Sequence, residues 1–242
     1  MPEYSHDYLL DKQIKIFQPL DGYRASSDAV ILSSAVQKVK DGEQILDLGS
    51  GTGAISLCLA HRFPNAVITG FEIQSELVKL SNMSAKINGF DNLKFINCDL
   101  RQPVSSWFGQ YDHVITNPPY ALDDMPSPNK SKATAHNFEK IDLGQWIKLA
   151  LKCLRSQGRI YIINRAEAID EILSSLHGHT GAITIVPLCS KSGQNAKRVL
   201  ICARKGVHTP TRILPQIIVH REDGAYTAKA QKILRDGACL FD

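Results

Sequence analysis

From residue 44 onward, short apolar runs alternate with longer segments patterned as helices. The runs occupy residues 44–48, 66–72, 93–98, 113–116 and 158–163, and the helical segments occupy 54–63, 75–88, 142–155 and 166–176. Such alternation predicts an α/β fold, with a mostly parallel sheet buried between helices on both faces. Gly89 is the expected stop of the second helix. Two late runs, 183–188 and 198–203, have no helix between them and read as a hairpin. The expected sheet therefore has seven strands, with an antiparallel edge strand.

The chain has 242 residues, of which 43% are hydrophobic. That is enough to bury a full core, and residues 1–242 are expected to form one domain. No apolar run approaches the roughly 20 residues that cross a bilayer. The first residues, Met1-Pro2-Glu3-Tyr4-Ser5-His6-Asp7, are polar and acidic. They do not read as a signal peptide, so a cytoplasmic protein is expected, with no membrane partner. A formal charge of +4 permits a nucleic-acid partner. The six cysteines form no Cys-x-x-Cys pair and read as reduced, buried thiols. His177-Gly178-His179 lacks a cysteine or carboxylate cluster, so it reads as a solvated turn and no metal is expected.

Asp47-Leu48-Gly49-Ser50-Gly51-Thr52-Gly53 ends the first strand. Ligands of open α/β sheets bind at the carboxyl ends of strands. The glycines permit tight turns and close approach of a ligand, and the following helix start offers unpaired N–H groups. The spacing Gly-x-Gly-x-Gly departs from the dinucleotide pattern Gly-x-Gly-x-x-Gly. Glu72 ends the second strand, and Asp99 with Leu100 follows the third. Asn117-Pro118-Pro119-Tyr120 ends the fourth.

This order of motifs resembles the class I S-adenosylmethionine methyltransferases that modify a planar amide or exocyclic nitrogen. The resemblance implies their Rossmann-like fold. It also implies that Gly49, Ser50, Gly51, Thr52 and Gly53 hold the amino-acid end of S-adenosylmethionine, with Asp47 helping to bind its ammonium. Glu72 would accept from both ribose hydroxyls. Asp99 would accept from the adenine amine, with Leu100 near the ring. An exocyclic amine is a poor nucleophile because its lone pair is delocalised. Two acceptors holding its hydrogens, the Asn117 side-chain oxygen and the Pro118 carbonyl, would turn the lone pair toward the methyl group. Pro118 and Pro119 stiffen the turn, and Tyr120 offers a face for stacking the target base. Asn117 thus belongs to both the catalytic and the cofactor-facing sets.

Three segments bear on the acceptor. Residues 17–32 resemble the lead-in of the bacterial methyltransferases that make N6-methyladenine at position 37 of valine tRNA. The resemblance implies that residues 1–40 fold over the cofactor, with Tyr23, Arg24 and Asp28 at its mouth. Ser27 or Asp28 could also cap a helix there. Residues 224–236, a Tyr-Thr start to a short final helix, resemble the same family. The basic loop of the late hairpin carries Lys191, Lys197 and Arg198, which could contact phosphates. A charged hairpin tip is equally read as solvated. Residues 121–140, with Lys130, Lys132 and His136, are expected to form a substrate lid. A tRNA substrate and a monomer are the resulting expectations. Besides another rRNA or DNA amino-methyltransferase, two rivals from other classes stay open: a methyltransferase acting on a protein glutamine amide, such as that of a release factor, and a binding protein that kept the fold and lost catalysis. Little chain precedes the first core strand, which weighs against the extra N-terminal helical domain of the glutamine enzymes. The intact Asp47, Glu72, Asp99 and Asn117 weigh against the second rival.

Overall fold

A computed structural model describes residues 3–119 and 141–241. The expectations for Tyr120, Lys130, Lys132, His136 and the lid at 121–140 fall outside these residues. The chain opens with a hairpin of β1 (Tyr4–Leu9) and β2 (Ile14–Pro19), then α1 (Ser27–Ser34). Next come β3 (Gln44–Leu48), α2 (Ala54–Arg62), β4 (Val67–Glu72), α3 (Ser75–Ile87), β5 (Leu93–Asn97) and β6 (Tyr111–Thr116). After the undescribed segment follow α4 (Leu143–Cys153), β7 (Leu154–Arg165), α5 (Ile169–Leu176), β8 (Thr180–Cys189) and β9 (Arg198–Lys205). Two short strands, β10 (Arg212–Ile213) and β11 (Ile217–Ile218), and α6 (Ala228–Asp236) complete it.

The main sheet runs β10-β8-β9-β7-β6-β3-β4-β5, with β11 also paired to β8. All neighbours are parallel except β9, which is antiparallel to both β7 and β8. The seven expected strands lie within a sheet of nine, which β10 and β11 extend, and the antiparallel strand is not at the edge. The chain of β8 passes over the site next to β7, and β9 returns into that gap. The outer flank of β8 is then covered by β10 and β11, which shields an otherwise open edge.

The helix ends follow local chemistry. Gly89, at φ +68°, closes α3. The Gly89 N–H bonds to the Lys86 carbonyl and the Phe90 N–H to the Ala85 carbonyl, the Schellman pattern. The Asp142 side chain accepts from the Gln145 N–H at the start of α4, and Thr227 does the same for α6 through Ala230. The expected cap of α1 is displaced by one residue. Ser26 takes that position with extended backbone and no side-chain cap bond, which leaves Asp28 for another partner.

Two apolar clusters sandwich the sheet. One lies under α1 and α2 and includes Ile45, Ile68, Phe95, Ile115, Tyr161, Ile163 and Leu200. The other lies under α4 and α5 and includes Leu46, Leu48, Phe71, Val114, Ile160, Ile162 and Ile201. Because side chains alternate along a strand, this division assigns every strand-end residue to a face. The N-terminal hairpin lies on α3, where the Phe17 N–H bonds to Ser84 Oγ at 2.9 Å and the Lys15 N–H to Asn88 Oδ1 at 2.9 Å. All six cysteines are free thiols; Cys58, Cys153 and Cys189 are buried, and Cys98, Cys202 and Cys239 only partly so.

Candidate functional site

Strand register brings the predicted residues to one edge. Asp47 pairs with Gly70 on β4 and with Ile115 on β6, and Glu72 pairs with Asn97 on β5. The carboxyl ends of β3, β4, β5 and β6 therefore finish side by side. Asp47 and Glu72 share the parity of Ile45 and Ile68, so both rise on the α1–α2 face.

The loop after β3 folds back onto β4. The Gly49 and Ser50 N–H groups both donate to the Phe71 carbonyl at 2.9 Å. Gly49 and Gly51 sit at φ +76° and +56°, where side chains are strained. Space demands glycine as well. A Cβ on Gly49 would lie 2.7 Å from the Trp146 ring, and one on Gly51 would lie 2.7 Å from the Tyr23 ring. Tyr23 thus lies against the loop.

Asp47 is fully buried. Its Oδ2 accepts from Ser56 Oγ at 2.7 Å, while Oδ1 has no hydrogen-bond partner among the described residues. Burial, with a lesser contribution from the nearby Glu72 charge, pushes its carboxyl up to about 7. Ser50 Oγ and Thr52 Oγ1 are likewise buried without a partner. An orphaned buried carboxylate oxygen costs free energy unless a donor meets it. One such oxygen and two orphaned hydroxyls around one glycine loop fit a cationic, hydrogen-bonding ligand end.

Glu72 is also buried. Its Oε2 accepts from the Gly51 N–H at 2.9 Å and its Oε1 from the Gln74 N–H at 2.8 Å. Each oxygen keeps lone-pair capacity for a further donor, as a vicinal diol would supply. Burial raises this carboxyl above its usual range. Asp99 differs. It is held by Arg101, whose Nε donates to Oδ1 and Oδ2 at 2.8 and 2.9 Å and whose backbone N–H donates to Oδ1 at 2.9 Å. The Arg101 guanidinium hydrogen bond keeps Asp99 below the usual carboxylate range. Leu100 beside it is buried.

Asn117 directly follows β6 and is partly buried, Pro118 is buried and Pro119 is exposed. The residue before them is pinned. Thr116 Oγ1 donates to the Leu48 carbonyl at 2.8 Å and accepts from Trp146 Nε1 at 2.8 Å. Trp146 therefore ties the start of the two-acceptor clamp, Asn117-Pro118, to the end of β3 while its ring covers Gly49. Sequence reasoning missed Trp146, because it sits on α4 with the look of an ordinary apolar helix residue.

Other predicted residues have partners within the chain. Arg24 donates to Asp7 at 2.8 Å, to the Pro19 carbonyl at 2.9 Å and to Ser5 Oγ at 2.9 Å, which fixes the lead-in to the hairpin. Asp28 accepts from Arg198 Nε at 3.0 Å. Lys191 Nζ donates to the Glu222 carbonyl at 3.0 Å. Lys197 is exposed. A separate cleft of about 570 Å³ lies between His220–Tyr226 and α6. It is lined by none of the strand-end residues.

A tRNA1(Val) (adenine(37)-N6)-methyltransferase of Pedobacter heparinus is 27% identical over 233 residues, covering 95% of this chain and 97% of that one. A protein of the same name from Glaesserella parasuis is 27% identical over 227 residues, covering 90% and 91%. Among solved structures, a predicted O-methyltransferase from Agrobacterium tumefaciens superposes with TM-score 0.73 at 23% identity, covering 88% of this chain and 97% of that one. M. jannaschii TYW2 in complex with AdoMet superposes with TM-score 0.60 at 11% identity, covering 84% and 86%. These likenesses establish the class I Rossmann-like fold. Residues 26–186, most of the sheet and its glycine loop, match the methyltransferase small domain, and the chain belongs to that family.

Proposed function

We propose that this protein is an S-adenosylmethionine-dependent methyltransferase that modifies the exocyclic N6 of an adenine in tRNA, at position 37 beside the anticodon. The observation that carries the reading is the row of Asp47, Glu72 and Asn117-Pro118 along one sheet edge, around a glycine loop with three orphaned buried polar atoms. The relatives that span nearly the whole chain bear the name of that activity.

S-adenosylmethionine supplies, when bound, a methyl group already activated on a sulfonium. The protein's work is to bind, orient and exclude water. Asp47 Oδ1 pairs with the ammonium of the cofactor's amino-acid end, while Glu72 accepts from its ribose hydroxyls. Asp99, oriented by Arg101, accepts from the adenine amine of the cofactor beside Leu100. Asn117 Oδ1 and the Pro118 carbonyl accept hydrogen bonds from the two N–H groups of the target amine and stabilise the positive charge that grows on its nitrogen. No general base is needed before transfer, since the proton can leave afterward. Tyr120 stacks on the target base, which must be splayed from the anticodon loop to reach the clamp. Lys191, Lys197 and Arg198, with Lys130, Lys132 and His136 from 121–140, approach the RNA phosphates.

Trp146 keeps Asn117 in place through Thr116. Trp146→Phe retains a ring over Gly49 and deletes one neutral hydrogen bond, worth about 1 kcal/mol. The expected result is a roughly 5-fold lower turnover, with cofactor affinity unchanged; single-turnover kinetics beside cofactor titration checks it.

The decisive experiment follows tritium from labelled S-adenosylmethionine into total RNA and total protein from cells lacking the gene. Label in N6-methyladenosine of the tRNA fraction is the expected result. Label in protein glutamine instead would replace the tRNA reading with the amide one. Cofactor binding without label in either would refute both.

A further inference from the structure

The cleft beside α6 belongs to no part of the site described above. β11 lies parallel to β8, and the chain extends that ladder beyond both strands. The Val219 N–H donates to the Cys189 carbonyl at 2.9 Å and the His220 N–H to the Ser190 carbonyl at 2.8 Å. A tight turn follows. The Arg221 N–H donates to the Ala225 carbonyl at 2.7 Å, and His220 bridges Tyr226, their ring centroids stacked 5.2 Å apart. Thr227 then closes the turn. Its Oγ1 donates to the Ile218 carbonyl at 2.7 Å and accepts from the Ala230 N–H at 3.2 Å, which starts α6. Ala230 and Ile233 of that helix are buried. Gln231 and Arg235, one turn apart on the same stripe, line the cleft instead.

The lining is polar and basic. His220, Arg221, Tyr226, Gln231 and Arg235 all take part, and no Asp or Glu does. Arg235 is exposed; its carbonyl, not its guanidinium, ties it to the N-terminal hairpin through Gln13 Nε2 at 3.2 Å. Arg221 pairs with Asp223 at 2.9 Å, but the two side chains are 61% and 60% exposed. So exposed a pair is weak and exchanges readily for another anion. Pockets for small molecules are mostly apolar, whereas nucleic-acid interfaces are polar and positively charged.

Strand register places the cleft relative to the clamp. β11 and β7 both run parallel to their neighbours β8 and β6, and β9 is antiparallel to β7 and β8. β11 therefore ends at the same sheet edge as β6 and Asn117. Thr116 pairs with Ile162, Ile162 with Ile201 and Ile201 with Ile185, so Asn117 is level with Val186. Ile218 pairs with Cys189, which sets His220 ~5 residues further out and ~4 strands across. At ~3.3 Å per residue and ~4.8 Å between strands, cleft and clamp are roughly 25 Å apart. A stacked strand rises ~3.4 Å per nucleotide, so the span is about seven nucleotides. With the target adenine in the clamp, the cleft meets the helical stem and not the loop. The basic hairpin tip joins the two places: Lys197 is exposed, and Lys191 Nζ donates to the Glu222 carbonyl of the cleft wall at 3.0 Å.

We propose that this cleft is a second RNA site, in which Arg221 and Arg235 take phosphates of the stem that carries the target loop and Gln231 meets a neighbouring 2′-hydroxyl. The inference rests on the RNA reading of the clamp.

The test measures binding of the full chain to unmodified tRNA transcript over a range of salt, with wild type, the double variant Arg221→Gln/Arg235→Gln, and Arg235→Lys. The double variant is expected to bind tRNA about 10-fold more weakly at low salt and to flatten the plot of log K against log salt by about 0.7–0.9 for each arginine removed. Arg235→Lys should keep the wild-type slope. On an RNA cut back to the target loop and its closing base pair, too short to reach the cleft, the double variant and wild type should bind alike. Equal binding of full tRNA by the double variant and wild type, with wild type methylating that tRNA, would overturn the second site and leave the function standing. The same loss on the short RNA as on full tRNA would overturn the stem contact. A rise in melting temperature with inorganic phosphate that the double variant lacks, beside unchanged tRNA binding, would give the cleft to a free anion. Wild type that neither binds nor methylates tRNA would instead overturn the function.

Discussion

Asn117→Ala is expected to stop methyl transfer while the cofactor still binds. The substitution removes one of two acceptors placed where charge develops, and losing one group of that kind lowers turnover about 10²- to 10³-fold. The cofactor contacts assigned to Asp47 and Glu72 stand on β3 and β4, where Ser56, Gly51 and Gln74 hold the two carboxylates. Cofactor affinity measured by calorimetry should therefore stay within about 3-fold of wild type, a difference under 1 kcal/mol. Equal losses of turnover and cofactor binding would remove Asn117 from the catalytic role.

Asp47→Asn should do the reverse, and it carries a pH signature. Removing a charge-assisted contact to an ammonium costs about 1.5–3 kcal/mol, or roughly 10- to 100-fold in cofactor affinity. Because burial holds the Asp47 carboxyl near 7, wild-type affinity should weaken as pH falls through about 7. Asp47→Asn should lack that component. Ser56, which donates to Asp47, and Glu72, the neighbouring carboxylate, are the groups that face it. The cofactor-free protein should respond in the opposite sense. Its Asp47 carboxyl is raised above the unfolded value of 3.8. Between about 4 and 7 the native state binds more protons than the unfolded state, so this group makes stability fall as pH rises. Above pH 7 Asp47→Asn should then melt higher than wild type without cofactor, by on the order of a few kcal/mol of relieved desolvation. Thermal melts at pH 5 and 8 check this. A lower melting temperature for Asp47→Asn at pH 8 would contradict a buried, unpaired carboxylate.

Together these variants describe a site that gives up stability for binding. Asp47 Oδ1, Ser50 Oγ and Thr52 Oγ1 are buried polar atoms that a purely structural loop would have paired. Cofactor saturation should recover that cost by mass action.

Some of this was legible because it is local. The glycine loop announces itself through residues that tolerate positive φ, and the strands of the core through continuous apolar runs. Gly89 stops α3 where the sequence places it, since the Schellman bonds involve only residues 85–90. The N-terminal hairpin carried no such signal. Its turn uses Leu10, Asp11 and Lys12 at φ +48°, +50° and +71°, with no glycine to mark it. The two-residue strands β10 and β11 are too short for any periodicity.

By itself the sequence determined the strand-helix alternation, the glycine loop and the four strand-end positions Asp47, Glu72, Asp99 and Asn117. These follow from backbone preferences and burial patterns that act over a few residues. The tertiary structure alone decided who meets whom. It inserted β9 between β7 and β8, set Trp146 on Gly49 and Thr116, gave Asp28 to Arg198, and placed Arg165 opposite Arg198. Those pairings join residues distant in the chain, and only the register of the sheet and the packing of helices on it can bring them together.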